Sequence, residues 1–310
     1  MKNKTLLSIL ILIILKHNLL FGQIKTEYFE TNTDRVYYEV CGTGAPIIFL
    51  SGGPGAPPQS MSPMIEYASK QYKTILLHQR GTGMSKNHTI DSTTITLNNY
   101  LEDILNVINK EKIKKTFLIG HSWGAILASD FMVKYPEKLK GVILIGAPGF
   151  SLDFLPIMNN TIMERLSKEE IDSIQQYSNQ LNDSSIDTLT KEELLKKMIR
   201  ITNSKQFFNP TLVDDLLSLG ALNMDINILM IKHLVQSNWN IENDIRQISI
   251  PVVIINGKTD PIGVNIPTKM QQTIKNSQLY LVDKCGHYVW MEKPHELKEI
   301  IMNFLFQYKN

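Results

Sequence analysis

From residue 34 onward, short runs of apolar and β-branched residues alternate with amphipathic segments. Residues 35–40 (RVYYEV) alternate apolar and polar positions and predict an antiparallel edge strand turning at Gly42-Thr-Gly44. Residues 45–50 (APIIFL) are apolar throughout and predict a buried strand that runs into SGGPGAPP. Similar runs recur at 72–79, 115–120, 141–148, 251–260 and 278–287. Between them, Leu101, Ile104, Leu105 and Ile108 share one face of a helix predicted over about 97–110. A second helix follows Ser122 until Pro136 stops it, and a closing helix runs from about Pro294 to Tyr308. Strands buried on both faces and separated by helices describe an α/β protein, a mostly parallel twisted sheet flanked by helices.

Between residues 149 and 243 the alternation stops, and polar helical segments containing Met and Leu replace it. Ser167-x-x-Glu170 and Thr190-x-x-Glu193 both have the form of a capping box, and Asn209-Pro210 sets up a helix start. The expectation is an inserted helical cap over 149–243, which divides the core into 23–148 and 244–310.

The first residues follow another pattern. Lys2 and Lys4 precede the apolar run Leu6 to Leu15, and a weaker stretch ends in LLFGQ. This order predicts a signal peptide over 1–22, cleaved after Gly22, and an exported protein, periplasmic or secreted. The run is shorter than the roughly 20 residues that span a bilayer, so no membrane span is expected after cleavage. Lys16 and His17 interrupt it, which leaves an uncleaved N-terminal anchor, or a buried first helix in a cytoplasmic protein, as the other readings.

Composition narrows the function class. The 310 residues are 43% hydrophobic, enough for a sizeable core. Setting Lys2, Lys4 and Lys16 aside from the 32 basic residues leaves 29 against 30 acidic ones, so no nucleic-acid partner is expected. Two cysteines, Cys41 and Cys285, do not make a disulfide scaffold, and Cys285-Gly-His287 lacks a second Cys/His pair for a zinc site.

The chemistry is concentrated at predicted strand ends. Gly120-His121-Ser122-Trp123-Gly124 fits G-x-S-x-G with a strand before it and a helix after it, the setting of a nucleophile elbow. A serine needs a base, and the base needs an acid to fix its tautomer. His287, beyond the last predicted strand, suits the base, whereas His121 is expected to point away from the nucleophile. Asp260, before Pro261 at a strand's C-terminal end, suits the acid; Asp283 is its rival. An oxyanion needs two N–H donors. Trp123 offers one by following the nucleophile, with its indole expected as pocket wall, and Gly53 in SGGPG offers the other.

SGGPG, HQRGTGMS, GHSWG, GKTDP and CGHYVWMEKP, in this order with the helical insertion between the third and fourth, resemble the α/β-hydrolase superfamily. Within it the motifs are most similar to the proline iminopeptidase-like serine peptidases. The resemblance covers nearly all of the chain after the leader. It implies an α/β-hydrolase fold with a helical cap, Ser122, Asp260 and His287 as the triad, Gly53 and Trp123 as the oxyanion hole, and a peptide with a free N-terminus as substrate. Ser51 stands where that family usually has His, and His78 where it has Asp; both positions read as structural, and Arg80 as a tie between loops.

In such peptidases cap carboxylates hold the free amine. Glu170, Glu193 and Asp214 sit in helix-start settings, which leaves Glu164, Asp215, Asp225 and Glu242 as substrate-binding candidates, none of them in a motif. The favoured function is a serine aminopeptidase releasing a residue such as proline, ahead of a carboxylesterase or lactonase. A different class, a non-catalytic binder of small molecules, would leave the triad idle. Dehalogenase or epoxide-hydrolase chemistry would place aspartate at position 122. The expected partner is a small molecule or short peptide, and the reaction calls for no cofactor or metal.

Overall fold

The computed structural model describes residues 24–32, 34–87, 89–183 and 185–309. The leader expected at 1–22 and His88 lie outside the described residues. In chain order the first half holds β1 (Lys25–Glu30), β2 (Arg35–Cys41), β3 (Pro46–Leu50), α1 (Ser62–Ala68), β4 (Lys73–Leu77), α2 (Leu97–Lys110), β5 (Thr116–His121), α3 (Trp123–Lys134) and β6 (Leu139–Ile145). Helices α4 (Phe154–Glu164), α5 (Lys168–Leu181), α6 (Thr188–Ser204), α7 (Val213–Ser218), α8 (Met224–Gln236) and α9 (Glu242–Ile245) come next. The chain closes with β7 (Val252–Gly257), α10 (Asn265–Thr273), β8 (Ser277–Val282), α11 (Val289–Glu292) and α12 (Pro294–Gln307).

The sheet runs β1-β2-β4-β3-β5-β6-β7-β8. β1 and β2 pair antiparallel, as do β2 and β4; every later pairing is parallel. β1 has no counterpart in the sequence reading, because Phe29 is the one residue of this edge strand that is buried. Three strands end earlier than their apolar runs suggest. β4 stops at Leu77, β7 at Gly257 and β8 at Val282, and the residues beyond them are loops at the C-terminal edge.

Alternate side chains divide the core between the sheet's two faces. Ile48, Leu50 and Leu118 pack with Ile104 and Val107 of α2 and with Leu127 and Phe131 of α3. Ile47, Phe49 and Phe117 face Met64 of α1 and Ile301 and Phe304 of α12. α3 buries ten of its twelve residues, which is why its sequence is apolar all round.

The segment between β6 and β7 forms only helices and turns. α8 joins the core through Ile226, Met230 and Leu234, whereas α6 buries Leu194 alone and α5 buries no side chain. Ser167 and Glu170 make a reciprocal capping box at the start of α5. Thr190 does not cap α6: the Asp187 carboxylate accepts the Thr190 backbone N–H at 3.0 Å and its hydroxyl at 2.6 Å, so the helix starts before Thr190. An ionised acceptor at the helix N-terminus gains from the macrodipole, which a threonine hydroxyl does not. Asn209 caps the short turn Pro210–Leu212. Among the described residues no helix is long and apolar enough to cross a membrane.

Candidate active site

Ser122 stands alone between the end of β5 and the start of α3, with φ 53° and ψ −115°. A non-glycine residue there stores roughly 1–3 kcal/mol of strain and persists only where its surroundings over-determine it. They do. The Ser122 N–H donates to the Ile145 carbonyl at 2.8 Å, and the Ser122 carbonyl accepts from Ala125 at 2.8 Å and Ile126 at 3.2 Å. The motif glycines are required by close approach: a Cβ on Gly120 would run into the Gly124 carbonyl, and one on Gly124 into the carbonyl of Leu50. The serine is thereby pushed out at the C-terminal edge of the sheet, where it is partly exposed.

His287 and Asp260 meet over the loops that follow β8 and β7. His287 Nδ1 lies 2.8 Å from Asp260 Oδ2, and both residues are buried. An ionised carboxylate only accepts, so Nδ1 carries the hydrogen and Nε2 is left as a base. The other Asp260 oxygen accepts the Ile262 N–H at 3.1 Å. The His287 N–H donates to the Gln206 carbonyl at 2.8 Å, and Gly146 packs so closely that a Cβ there would lie 3.2 Å from the imidazole. Asp283, the rival acid, is 78% exposed and pairs with Lys258 at 2.7 Å.

Ser122, His287, Gly52 and Gly53 line one cavity of about 230 Å³. Gly53 has φ 115°, a conformation that side chains rarely adopt. Two expectations need correcting. The Trp123 indole is not cavity wall: it is buried beneath α3, edge-on to Tyr100 at 5.9 Å, and donates to Gln79 Oε1 at 2.9 Å. His121 does not turn away either; it lines the cavity, with Nε2 3.1 Å from the His287 carbonyl. Because a carbonyl can only accept, that nitrogen bears the hydrogen. Burial pushes the His121 pKa down to about 3, so the ring stays neutral. The G-x-S-x-G motif placed His121 beside the nucleophile, but nothing in the sequence gave the direction of its ring.

The loops behind the site are tied by charge and hydrogen bonds. Arg80 forks onto Asp103 of α2 at 2.7 and 2.8 Å. Burial raises the Asp103 carboxyl to about 6 against the pull of the guanidinium. His78 Nδ1 accepts the Met84 N–H at 2.9 Å.

The insertion supplies half of the residues that line the cavity. Met158 of α4, Ile199 of α6, Leu216 and Leu217 of α7 and Leu222 give it an apolar surface, to which Asn203, Gln206 and Asn227 add neutral amides. Among the described residues no Asp, Glu, Lys or Arg lines it. Glu164, Asp215, Asp225 and Glu242 are all absent from the wall. Asp215 and Asp225 are exposed in the first turns of α7 and α8, where the helix dipole favours acids; Glu164 is exposed in the last turn of α4; Glu242 pairs with Lys269. No disulfide joins Cys41 and Cys285 among the described residues, and burial raises the Cys285 pKa. Among the described residues no cluster of His, Cys, Asp and Glu could hold a metal ion.

Residues 45–294 match the alpha/beta hydrolase fold family. The proline iminopeptidase of Saccharolobus solfataricus is 23% identical over 293 residues, covering 90% of each chain. A 2-hydroxy-6-oxo-6-(2'-aminophenyl)hexa-2,4-dienoic acid hydrolase of Metapseudomonas resinovorans is 22% identical over 92% of this chain and 88% of its own. Among solved structures, the proline iminopeptidase of Mycobacterium smegmatis superimposes with a TM-score of 0.71 at 17% identity, covering 92% of this chain and 99% of that one.

Proposed function

This chain belongs to the alpha/beta hydrolase fold family, and on that premise we propose that it is a serine hydrolase working through an acyl-enzyme. Ser122 attacks an acyl carbon while His287 Nε2 takes its proton, and Asp260 holds the imidazole in the required tautomer. The Gly53 and Trp123 N–H groups receive the charge that develops on the carbonyl oxygen. His287 then returns the proton to the leaving group, and water attacks the acyl-enzyme along the same route. The observation that carries this reading is the 2.8 Å contact of His287 with Asp260 beside a strained serine on one cavity.

For the substrate, the cavity's neutral lining favours an uncharged, largely apolar acyl group on an ester or lactone. An ammonium group seated there would lose its water without gaining a carboxylate, a cost of several kcal/mol. Release of an N-terminal residue such as proline is the second reading, favoured by the names of several full-length relatives. A relative named as a hydrolase of a 2-hydroxy-6-oxo-dienoic acid and a structural neighbour named as a meta-cleavage product hydrolase supply a further comparison.

The deciding experiment compares kcat/KM on p-nitrophenyl butyrate with that on prolyl-, alanyl- and acetyl-prolyl-anilides. The ester is expected to turn over fastest, and acetylation of the amine to cause no loss. Faster turnover of the prolyl anilide, abolished by acetylation, would replace the ester reading with the aminopeptidase one.

A further inference from the structure

The two N–H groups assigned to the oxyanion come from segments that the sheet alone does not hold together. Gly53 lies in the loop after β3 and Trp123 opens α3, and the β3–β5 ladder ends at Leu50 and Gly120, before either of them. A third segment spans the gap. Gln79, two residues beyond β4, is 2% exposed, and its Nε2 donates to the Ser51 carbonyl at 2.9 Å and to Ser51 Oγ at 3.1 Å. Its Oε1 accepts the Trp123 indole N–H at 2.9 Å. An indole N–H only donates and a backbone carbonyl only accepts, so the amide cannot turn over without losing both contacts. Ser51 and Trp123 are equally buried, which strengthens these bonds and keeps water from replacing them.

We propose that Gln79 is a positioning residue for the oxyanion hole, a buried amide that sets the spacing between the Gly53 and Trp123 N–H groups. The proposal rests on the reading of Ser122 as nucleophile. Oxyanion donors act only when aimed, at about 2.7–3.1 Å, at where the charge develops rather than at the ground-state carbonyl oxygen. A loop released to shift by a fraction of an ångström still admits the planar substrate and loses the tetrahedral state. The loss therefore falls on kcat and spares KM. If Gln79 only filled space, its replacement would lower stability and leave each folded molecule as active as before.

The test uses the full chain carrying Gln79→Leu or Trp123→Phe, with p-nitrophenyl butyrate as substrate and an alkyl trifluoromethyl ketone as the probe that forms a tetrahedral adduct with serine. Gln79→Leu is expected to lower kcat about 30-fold and weaken ketone binding by the same factor, with KM held within about twofold. Trp123→Phe removes the indole N–H together with part of the buried ring but keeps the backbone N–H, and is expected to show the same pattern at about fivefold, which preserves the test if Gln79→Leu does not fold. Unchanged kcat and ketone affinity per folded molecule would overturn the proposal, as would a raised KM at constant kcat. Fluorophosphonate labelling of wild-type Ser122 in the same preparations separates the two levels. No labelling overturns the hydrolase reading and this proposal with it; labelling with unaffected variants overturns the role of Gln79 alone.

Discussion

β5 and β6 bury all but one of their side chains, while α5, in the insertion between β6 and β7, buries none. The first region, the core sheet that contains β5 and β6, carries Ser122, Asp260 and His287 on the loops after β5, β7 and β8, whose backbones are fixed by bonds to Ile145, Gly257 and, from the insertion, Gln206. The second supplies cavity wall from helices that keep most of their surface in water. Atoms that must meet within tenths of an ångström are held by contacts that tolerate no added atom. In the proposed reading, substrate preference is left to partly buried side chains of the insertion, Met158, Ile199, Leu217 and Leu222 among them. The regions meet where Phe207 stacks on Tyr288 at 4.7 Å and where Arg165, held within the insertion by the Lys205 carbonyl at 2.6 Å, donates to the Thr259 carbonyl at 2.9 Å.

This contrast can be broken most sharply in the rigid region. Gly124→Ala would drive a methyl into the Leu50 carbonyl, and backbone on both sides leaves nowhere for it to go. The variant is expected to lose soluble yield or to unfold at a temperature at least about 10 °C lower, on the order of several kcal/mol. A wild-type unfolding temperature would show that the elbow is looser than its contacts imply.

A smaller effect lies on the seam between the regions, where Asp130 of α3 accepts the Trp239 indole N–H at 3.0 and 3.2 Å. Burial raises the Asp130 carboxyl to about 7, above the roughly 3.9 of an unfolded aspartate. Between those values the folded chain keeps a proton that the unfolded chain releases, so this group's contribution is full below about pH 4 and is lost as pH rises through 7. Asp130→Asn keeps an acceptor for the indole without the charge. Its stability advantage over wild type, read from urea unfolding, should be larger at pH 8 than at pH 5; an equal gap at both would contradict the assignment.

The smallest effect is expected in the insertion itself. Asp215→Asn and Asp225→Asn should each leave kcat/KM on p-nitrophenyl butyrate and on prolyl-anilide within about twofold, because both carboxylates face solvent away from the cavity. A selective loss on the free-amine substrate would bring those carboxylates into the site.

How far the sequence reached follows the same division. The elbow was legible because G-x-S-x-G between a strand and a helix is a local rule, and local contacts enforce it at Gly120 and Gly124. Asp283, read as lying inside the last strand, stood as a rival to Asp260 at a strand's C-terminal end, and only the paths of two loops decide which of them reaches the histidine. β1 was missed because an edge strand with one buried side chain carries no apolar run. The cavity wall was out of reach for a further reason. Met158, Ile199, Leu217 and Asn227 are brought together from four helices, and no spacing along the chain encodes that convergence.

The most direct measurement of the central claim is intact-protein mass spectrometry after treatment with a fluorophosphonate, followed by peptide mapping. A single adduct on Ser122 is expected in wild type, absent from Ser122→Ala and formed at least about 10³-fold more slowly in His287→Ala, since the serine then lacks its base. Absence of an adduct in wild type, or an adduct that persists at another residue in Ser122→Ala, would contradict a serine hydrolase centred on Ser122.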